Sequence, residues 1–202
     1  MATEWDVSGF VRWKVNLLDQ ETAWSRAMCA KLRGATGKHP SETPEVWELT
    51  FLDAPEEWFS RNGIPSREEN AIHVSLTLYA LHRQGKNRSM SVSGRTDEGK
   101  EMGDSFGAAT GKLVAPDRGN VDAIKRRFDS VATASEFYEL AYHARSIIKL
   151  LKAGDLVMDY PRFAADLVSF QLPSRSGAVK LRWGEDFYRV LSRHEIGKDE
   201  EV

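Results

Sequence analysis

Residues 133–152 read TASEFYELAYHARSIIKLLK. At 100° per residue, Phe137, Leu140, Ala141, Ala144, Ile147, Ile148 and Leu151 fall in one stripe roughly 120° wide, which predicts an amphipathic helix from Thr133 to Lys152 with that stripe against a core. Thr133 and Glu136 have the spacing of a capping box at its start. Tyr138, Tyr142, Arg145, Lys149 and Lys152 gather on one shoulder of the stripe, and Glu136, Glu139 and His143 on the other. Cations interleaved with rings suit a sugar-phosphate backbone, because ammonium and guanidinium groups neutralise phosphates while rings stack on bases. The same pattern also describes an ordinary solvated helix face.

Outward from this segment nearly every stretch carries helical signals. Phe10, Val11, Lys14, Leu17 and Leu18 predict a first amphipathic helix ending near Asp19, and a second runs from about Gln20 to Arg33, with Gly34 as its C-cap. Thr43 is placed to cap a helix with Pro44 at its first position, continuing through Trp47 and Leu49 until Pro55. Ser66 and Glu69 form a capping box for a helix from Arg67 to Gln84 that Gly85 closes. Its Ile72, Val74, Leu76, Leu78, Tyr79 and Leu81 wrap most of the circumference, which marks the central helix of a bundle. Residues 86–101 are polar and predict an exposed, mobile loop. Further helices are expected over Gly103–Leu113, Asn120–Val131 with Asn120 as cap, a segment capped by Asp159 that ends before Pro173, and about Ala178–Leu191. No stretch alternates with period two over a strand's length, and no internal repeat is visible. The expectation is an all-α bundle of about eight or nine helices. Residues 1–202 form either one domain or two small lobes, 1–85 and 102–192, hinged near the 86–101 loop.

Composition narrows the classes. Apolar residues make up 41% and charged residues 29%, which excludes wholesale disorder, and no apolar run approaches the ~18 residues of a membrane span. Met1 to Asp6 is acidic and aromatic rather than the basic lead of a signal peptide, and the single cysteine, Cys29, has no intramolecular partner. A cytoplasmic protein without membrane contact is expected. Net charge is −2, but Lys plus Arg against Asp plus Glu is 8 to 12 over residues 1–70, 13 to 9 over 71–154 and 7 to 9 over 155–202. A basic middle between acidic ends suits a subunit that touches a polyanion at one place and protein elsewhere.

The search for catalytic chemistry finds no constellation. The five histidines have no i, i+4 pair and no adjacent aspartate, so a zinc or two-metal hydrolytic site has no support. His73, on the central helix, reads as a satisfied core or interface residue. Glu98-Gly99-Lys100 has half of a nuclease motif without the strand and upstream carboxylate that metal binding needs. Gly103, Gly107 and Gly111 fit close helix packing rather than a phosphate loop, since no P-loop lysine follows them. No cofactor, metal or catalytic residue is predicted.

What remains is cations in helical register. Arg26 and Arg33 share a face of the second helix opposite Trp24, Met28 and Leu32, with Lys31 nearer the buried edge. Arg83, Lys86, Arg88 and Arg95 lie in a stretch, 83–96, that contains no acid. Lys125, Arg126 and Arg127 are consecutive around a helix whose core side is Val121, Ile124, Phe128 and Val131. With Arg145, Lys149 and Lys152 they make four basic groups on a mildly acidic chain.

Five segments in order carry a family resemblance: LYALHRQG at 78–85, KRRF at 125–128, HARSIIKLL at 143–151, DYPRFAADL at 159–167 and RWGEDFYR at 182–189. Together with SRAMCAKLRG behind Trp24, they make residues 10–191 resemble the CasB family, the small subunit of the type I-E CRISPR surveillance complex called Cascade. Ala144, where many relatives carry leucine, and the long 86–101 loop depart from its pattern. The resemblance implies an all-helical, non-catalytic protein present as two copies in a ribonucleoprotein. Its neighbours would be a large subunit, several backbone subunits and a guide RNA, and it would contact the strands of opened target DNA. It implies nucleic-acid contact at Arg26, Lys31 and Arg33, at Arg126 and Arg127, and at Arg145 with Lys149. The competing expectation is a pure protein scaffold whose basic faces pair with acidic neighbours.

Overall fold

The computed structural model describes residues 6–94, 103–114 and 119–199, with side chains described to residue 193. The helices are α1 Val7–Leu18, α2 Ala23–Ala35, α3 Trp47–Phe51, α4 Arg67–Arg83, α5 Phe106–Gly111, α6 Val121–Thr133, α7 Phe137–Ala153, α8 Tyr160–Phe170 and α9 Pro173–Asp199. Three short 3-10 turns, at Pro40–Glu42, Pro44–Val46 and Glu56–Trp58, flank α3. The fold is all-α, as the periodicity predicts, and extended pairing among the described residues is limited to one parallel bridge between Ser91 and Met158.

α4 is the axis. Every residue from Ala71 to Ala80 is buried, and α1, α2, α3, α7 and α8 all pack against it. A helix covered all round needs apolar side chains in most directions, and Ala71, Ile72, Val74, Leu76, Leu78, Tyr79 and Ala80 supply them. Its start is the predicted capping box, with Glu69 N–H donating to Ser66 Oγ at 3.0 Å and Ser66 N–H to Glu69 Oε2 at 2.7 Å. Its end is Gly85 at φ +76°, a left-handed position that favours glycine.

α5 lies on α9 at backbone distance. A Cβ on Gly107 would sit 2.0 Å from the Trp183 carbonyl oxygen, and one on Gly111 would sit 2.9 Å from that of Phe187. The predicted role of these glycines in close packing is therefore realised. Around this contact Phe106, Phe163 and Trp183 form one ring cluster, and Phe128 of α6 stacks on Phe187 at 4.5 Å. Trp183 Nε1 and Arg182 both donate to Asp166, at 2.6 and 2.7 Å, which joins α9 to α8.

Several local expectations are corrected. α2 runs through Gly34 to Ala35, because Leu32 and Ala35 are both buried on the next turn; the left-handed residue is Gly37, at φ +84°. Trp24, expected on the apolar face of α2, is 40% exposed, and Lys31 is exposed rather than at a buried edge. Pro44–Val46 is a 3-10 turn, and Thr43 spends its hydroxyl on the Pro40 carbonyl. Thr133 does not cap α7. It closes α6, bonding the Asp129 carbonyl, while Glu139 reaches back to the Ser135 N–H at 2.9 Å to cap α7. Asn120 stands before α6, but its amide donates to the Leu113 carbonyl. α9 begins at Pro173, well before the expected Ala178.

Residues 86–94, the described part of the 86–101 segment, are not the free loop that their polarity suggests. Met90 is fully buried, Val92 N–H donates to the Met158 carbonyl at 3.1 Å and Met158 N–H to that of Met90 at 3.2 Å. Arg95 and the Glu98-Gly99-Lys100 triplet lie outside the described residues.

Lys14 departs most from expectation. Its ammonium is 1% exposed, donates to the Leu52 carbonyl at 2.7 Å and lies 4.1 Å from the Trp13 ring centroid and 4.8 Å from that of Phe10. Burial lowers its pKa to about 8, against the attraction of Asp53 and Glu48.

Candidate nucleic-acid interface

α7 buries Leu140, Ala144, Ile147, Ile148 and Leu151, the stripe read from the sequence, so its polar shoulder is fixed by that core contact. Tyr142 is 72% exposed, Lys149 is exposed, and Arg145 and Lys152 are half-buried. The rise from Arg145 to Lys152 is about 10 Å, comparable to about three phosphates of one duplex strand.

Two depressions flank this shoulder. The first, about 360 Å³, lies between the segment after α2 (Thr36, Gly37, Lys38), α4 (His73, Val74, Thr77, Leu78) and α7 (Tyr138, Ala141, Tyr142, Arg145). The second, about 570 Å³, is a shallow trough formed by Leu81, Gln84, Gly85, Lys86, Lys149, Lys152 and Ala153. Among the described residues no carboxylate lines either one, although Lys86 at the second is paired with Asp155 at 2.7 Å. Lys152 donates to Gln84 Oε1 at 2.8 Å, which ties the end of α7 to the end of α4.

In the first depression Arg145 lies against Gly37: a Cβ there would be 3.4 Å from its Nη1. Its Nε is buried and has no hydrogen-bond partner among the described residues. His73 Nε2 contacts the Lys38 carbonyl at 3.2 Å, and burial lowers its pKa to about 4, so the ring is neutral at pH 7. This is the satisfied core histidine that was expected. Tyr138 donates to Asn70 Oδ1 at 2.7 Å, and burial raises its phenol to about 12.

The other basic groups divide. Lys125, Arg126 and Arg127 on α6 are all exposed; Arg127 bonds the Ala123 carbonyl of its own helix, and no ion pair forms at these three among the described residues. α6 packs on α7, so both sets sit on neighbouring elements. On α2, Arg26 is exposed with a bond to the Glu21 carbonyl, and Arg33 is half-buried. The acid-free stretch from 83 behaves differently from its sequence. Arg83 Nε pairs with Asp19 at 2.7 Å and its Nη2 lies 3.6 Å from Glu21, while Lys86 and Arg88 both bind Asp155 at 2.7 Å. Their carboxylates come from far along the chain, so local charge counting could not find them. Lys38 and Gly37 were missed because a lone lysine in a loop carries no periodicity.

The class defined here is an all-helical protein with cations and aromatic rings displayed along one helix. Among the described residues no group of His, Cys, Asp and Glu is arranged to hold a metal, and no helix is long and apolar enough to cross a membrane. The chain belongs to the CRISPR-associated protein Cse2 family, whose model matches residues 28–188. Its fold is similar to CasB from Thermobifida fusca, with 26% identity and TM-score 0.70 over 90% of this chain and 97% of that one. CasB from Thermus thermophilus is similar at 20% identity and TM-score 0.63, over 90% and 97% of the two chains. A chain of a CRISPR RNA-guided surveillance complex matches at 16% identity and TM-score 0.70, over 96% of this chain and 99% of that one. Comparison with curated protein sequences finds no match.

Proposed function

We propose that this protein is a non-catalytic subunit of a CRISPR RNA-guided surveillance complex that holds nucleic acid by its sugar-phosphate backbone, without reading sequence. The observation that carries this reading is the row Arg145, Lys149 and Lys152 on α7, joined by Lys38 and bordered by two depressions without a lining carboxylate among the described residues. Family membership and the fold shared with a chain of a surveillance complex support it.

Exchanging a DNA duplex for a guide-target heteroduplex is nearly neutral in free energy, so contacts with the separated strands decide whether the opened state persists. Base pairing with guide RNA supplies sequence information; a helical subunit then needs only charge at phosphate spacing. The exposed cations of α6 and α2 add to the α7 row. In this reading the subunit acts on antiviral defence by retaining opened target DNA.

A second surface suits protein. Glu42, Glu45, Glu48, Glu56 and Glu57 are exposed beside Trp47, Leu52, Phe59 and Ile64, which are 41, 58, 37 and 70% exposed. Large apolar groups within an acidic field fit the large subunit, the backbone subunits or a second copy of the chain. The scaffold alternative would instead pair the basic faces of α6 and α7 with acidic surfaces of neighbouring subunits. Photo-crosslinking of the assembled complex to DNA separates the two: adducts on α6 or α7 are expected, and adducts confined to other subunits would overturn the nucleic-acid reading.

A further inference from the structure

The cleft beside Arg145 is shaped for more than a phosphate. A row of surface cations neutralises a backbone without any cavity, yet here a 360 Å³ hollow opens beside Arg145, at one end of the row. Val74, Leu78 and Ala141 give its lining an aliphatic part, and Tyr138 and Tyr142 of α7 also line it. Among the described residues that line it, Arg145 and Lys38 carry the positive charge, since His73 is neutral. Arg145 is half-buried with its Nη1 against Gly37, and no ion pair claims its guanidinium among the described residues. The hollow therefore combines an aliphatic and aromatic lining with two cations, Arg145 and Lys38.

We infer that this cleft takes one unstacked base of a single strand, with the adjoining phosphate on Arg145 and Lys38. The inference rests on the reading that α7 meets nucleic acid, and names what that site recognises: an unpaired nucleotide rather than a duplex. A base leaves a duplex only at the cost of pairing and stacking, a cost that is least for a strand already single. Stacking on tyrosine and packing on aliphatic groups accept any base. Thr36 and Thr77 leave no hydroxyl proton for a base edge, because they donate to the carbonyls of Leu32 and Val74 at 3.3 and 3.1 Å. The slot thus distinguishes opened from closed DNA while ignoring sequence.

The test compares binding of the full chain to two single-stranded DNA oligonucleotides of equal length and charge, one intact and one with abasic sugars throughout. The intact strand is expected to bind about tenfold more tightly. Tyr142→Ala, at an exposed position, reduces that preference, and Ala141→Trp, which fills the slot, removes it; circular dichroism verifies that both variants keep their helices. Equal affinity for the two strands overturns the base slot and leaves the phosphate contacts standing. A preference unchanged in both folded variants also overturns it, by placing base contact elsewhere. Failure of both strands to bind overturns the nucleic-acid reading and the slot with it.

Discussion

Arg83 Nε donates to Asp19 Oδ1 at 2.7 Å across 64 residues of sequence, with the two side chains only 11 and 20% exposed. The same carboxylate accepts from the Tyr79 hydroxyl, so the turn between α1 and α2 is latched to the end of α4. Arg83 therefore works as a clamp, although its sequence neighbourhood looks like part of a basic patch. Arg83→Ala is expected to cost about 1–3 kcal/mol of stability by leaving Asp19 partly buried without its cation. Chemical denaturation measures the loss, and the salt dependence of DNA binding should stay as in the wild type.

The contrasting substitution is Arg126→Ala with Arg145→Ala. Neither guanidinium forms an ion pair among the described residues, so the double variant should fold normally and lower the retention of target DNA by the assembled complex. If about four phosphates are engaged on a single strand, log affinity falls against log salt with a slope of about −3, and the double variant flattens it. Unchanged retention would remove these two residues from the interface.

Gly107→Ala tests the α5–α9 contact. A methyl 2.0 Å from the Trp183 carbonyl meets backbone that cannot swing away, so the helices must separate. A loss of about 3 kcal/mol or more is expected, read as a lower Tm and weaker protection of α5 amides.

Acid should weaken the fold through His73 and His82. Both are at most 1% exposed, and burial lowers each to about 4. The unfolded chain binds protons between pH 6.5 and 4 that the folded chain refuses, so stability is full above pH 6.5 and declines toward pH 4 by up to about 3 kcal/mol per ring. His73→Gln should flatten part of the decline. Lys14, lowered to about 8, acts at the other end: its contribution rises as pH goes from 8 toward 10, where the unfolded chain still carries the proton. The stability difference between wild type and Lys14→Met should shift in favour of the wild type over that interval.

Residues 1–85 and 102–192 should unfold in one transition. α4 is packed by α1 and α2 as well as by α7 and α8, and α1 itself packs on α8. Equal calorimetric and van't Hoff enthalpies would show a single cooperative unit; two separated transitions would show two lobes.

Local chemistry made much of this legible in advance. The stripe from Leu140 to Leu151, the Ser66–Glu69 box, Asp159 as a cap accepting from the Arg162 N–H at 2.9 Å, and the fully wrapped α4 all follow from period and short-range bonding. Boundaries failed where burial outweighed local preference. Leu32 and Ala35 carried α2 past Gly34, and Ala134, fully buried, set the break before α7 that Thr133 had suggested one turn too early.

The sequence by itself determined that the chain is a helical bundle around α4 and which cations share the shoulder of α7, because helical periodicity and capping involve residues a few positions apart. Only the tertiary structure decided which of those cations are available. Asp19 and Asp155 reach Arg83, Lys86 and Arg88 from distant segments, Lys14 disappears between two rings, and Lys38 joins Arg145 over a hollow that neither segment encodes alone. Charge is a property of composition, whereas its pairing and exposure depend on what the folded chain brings within a few ångströms.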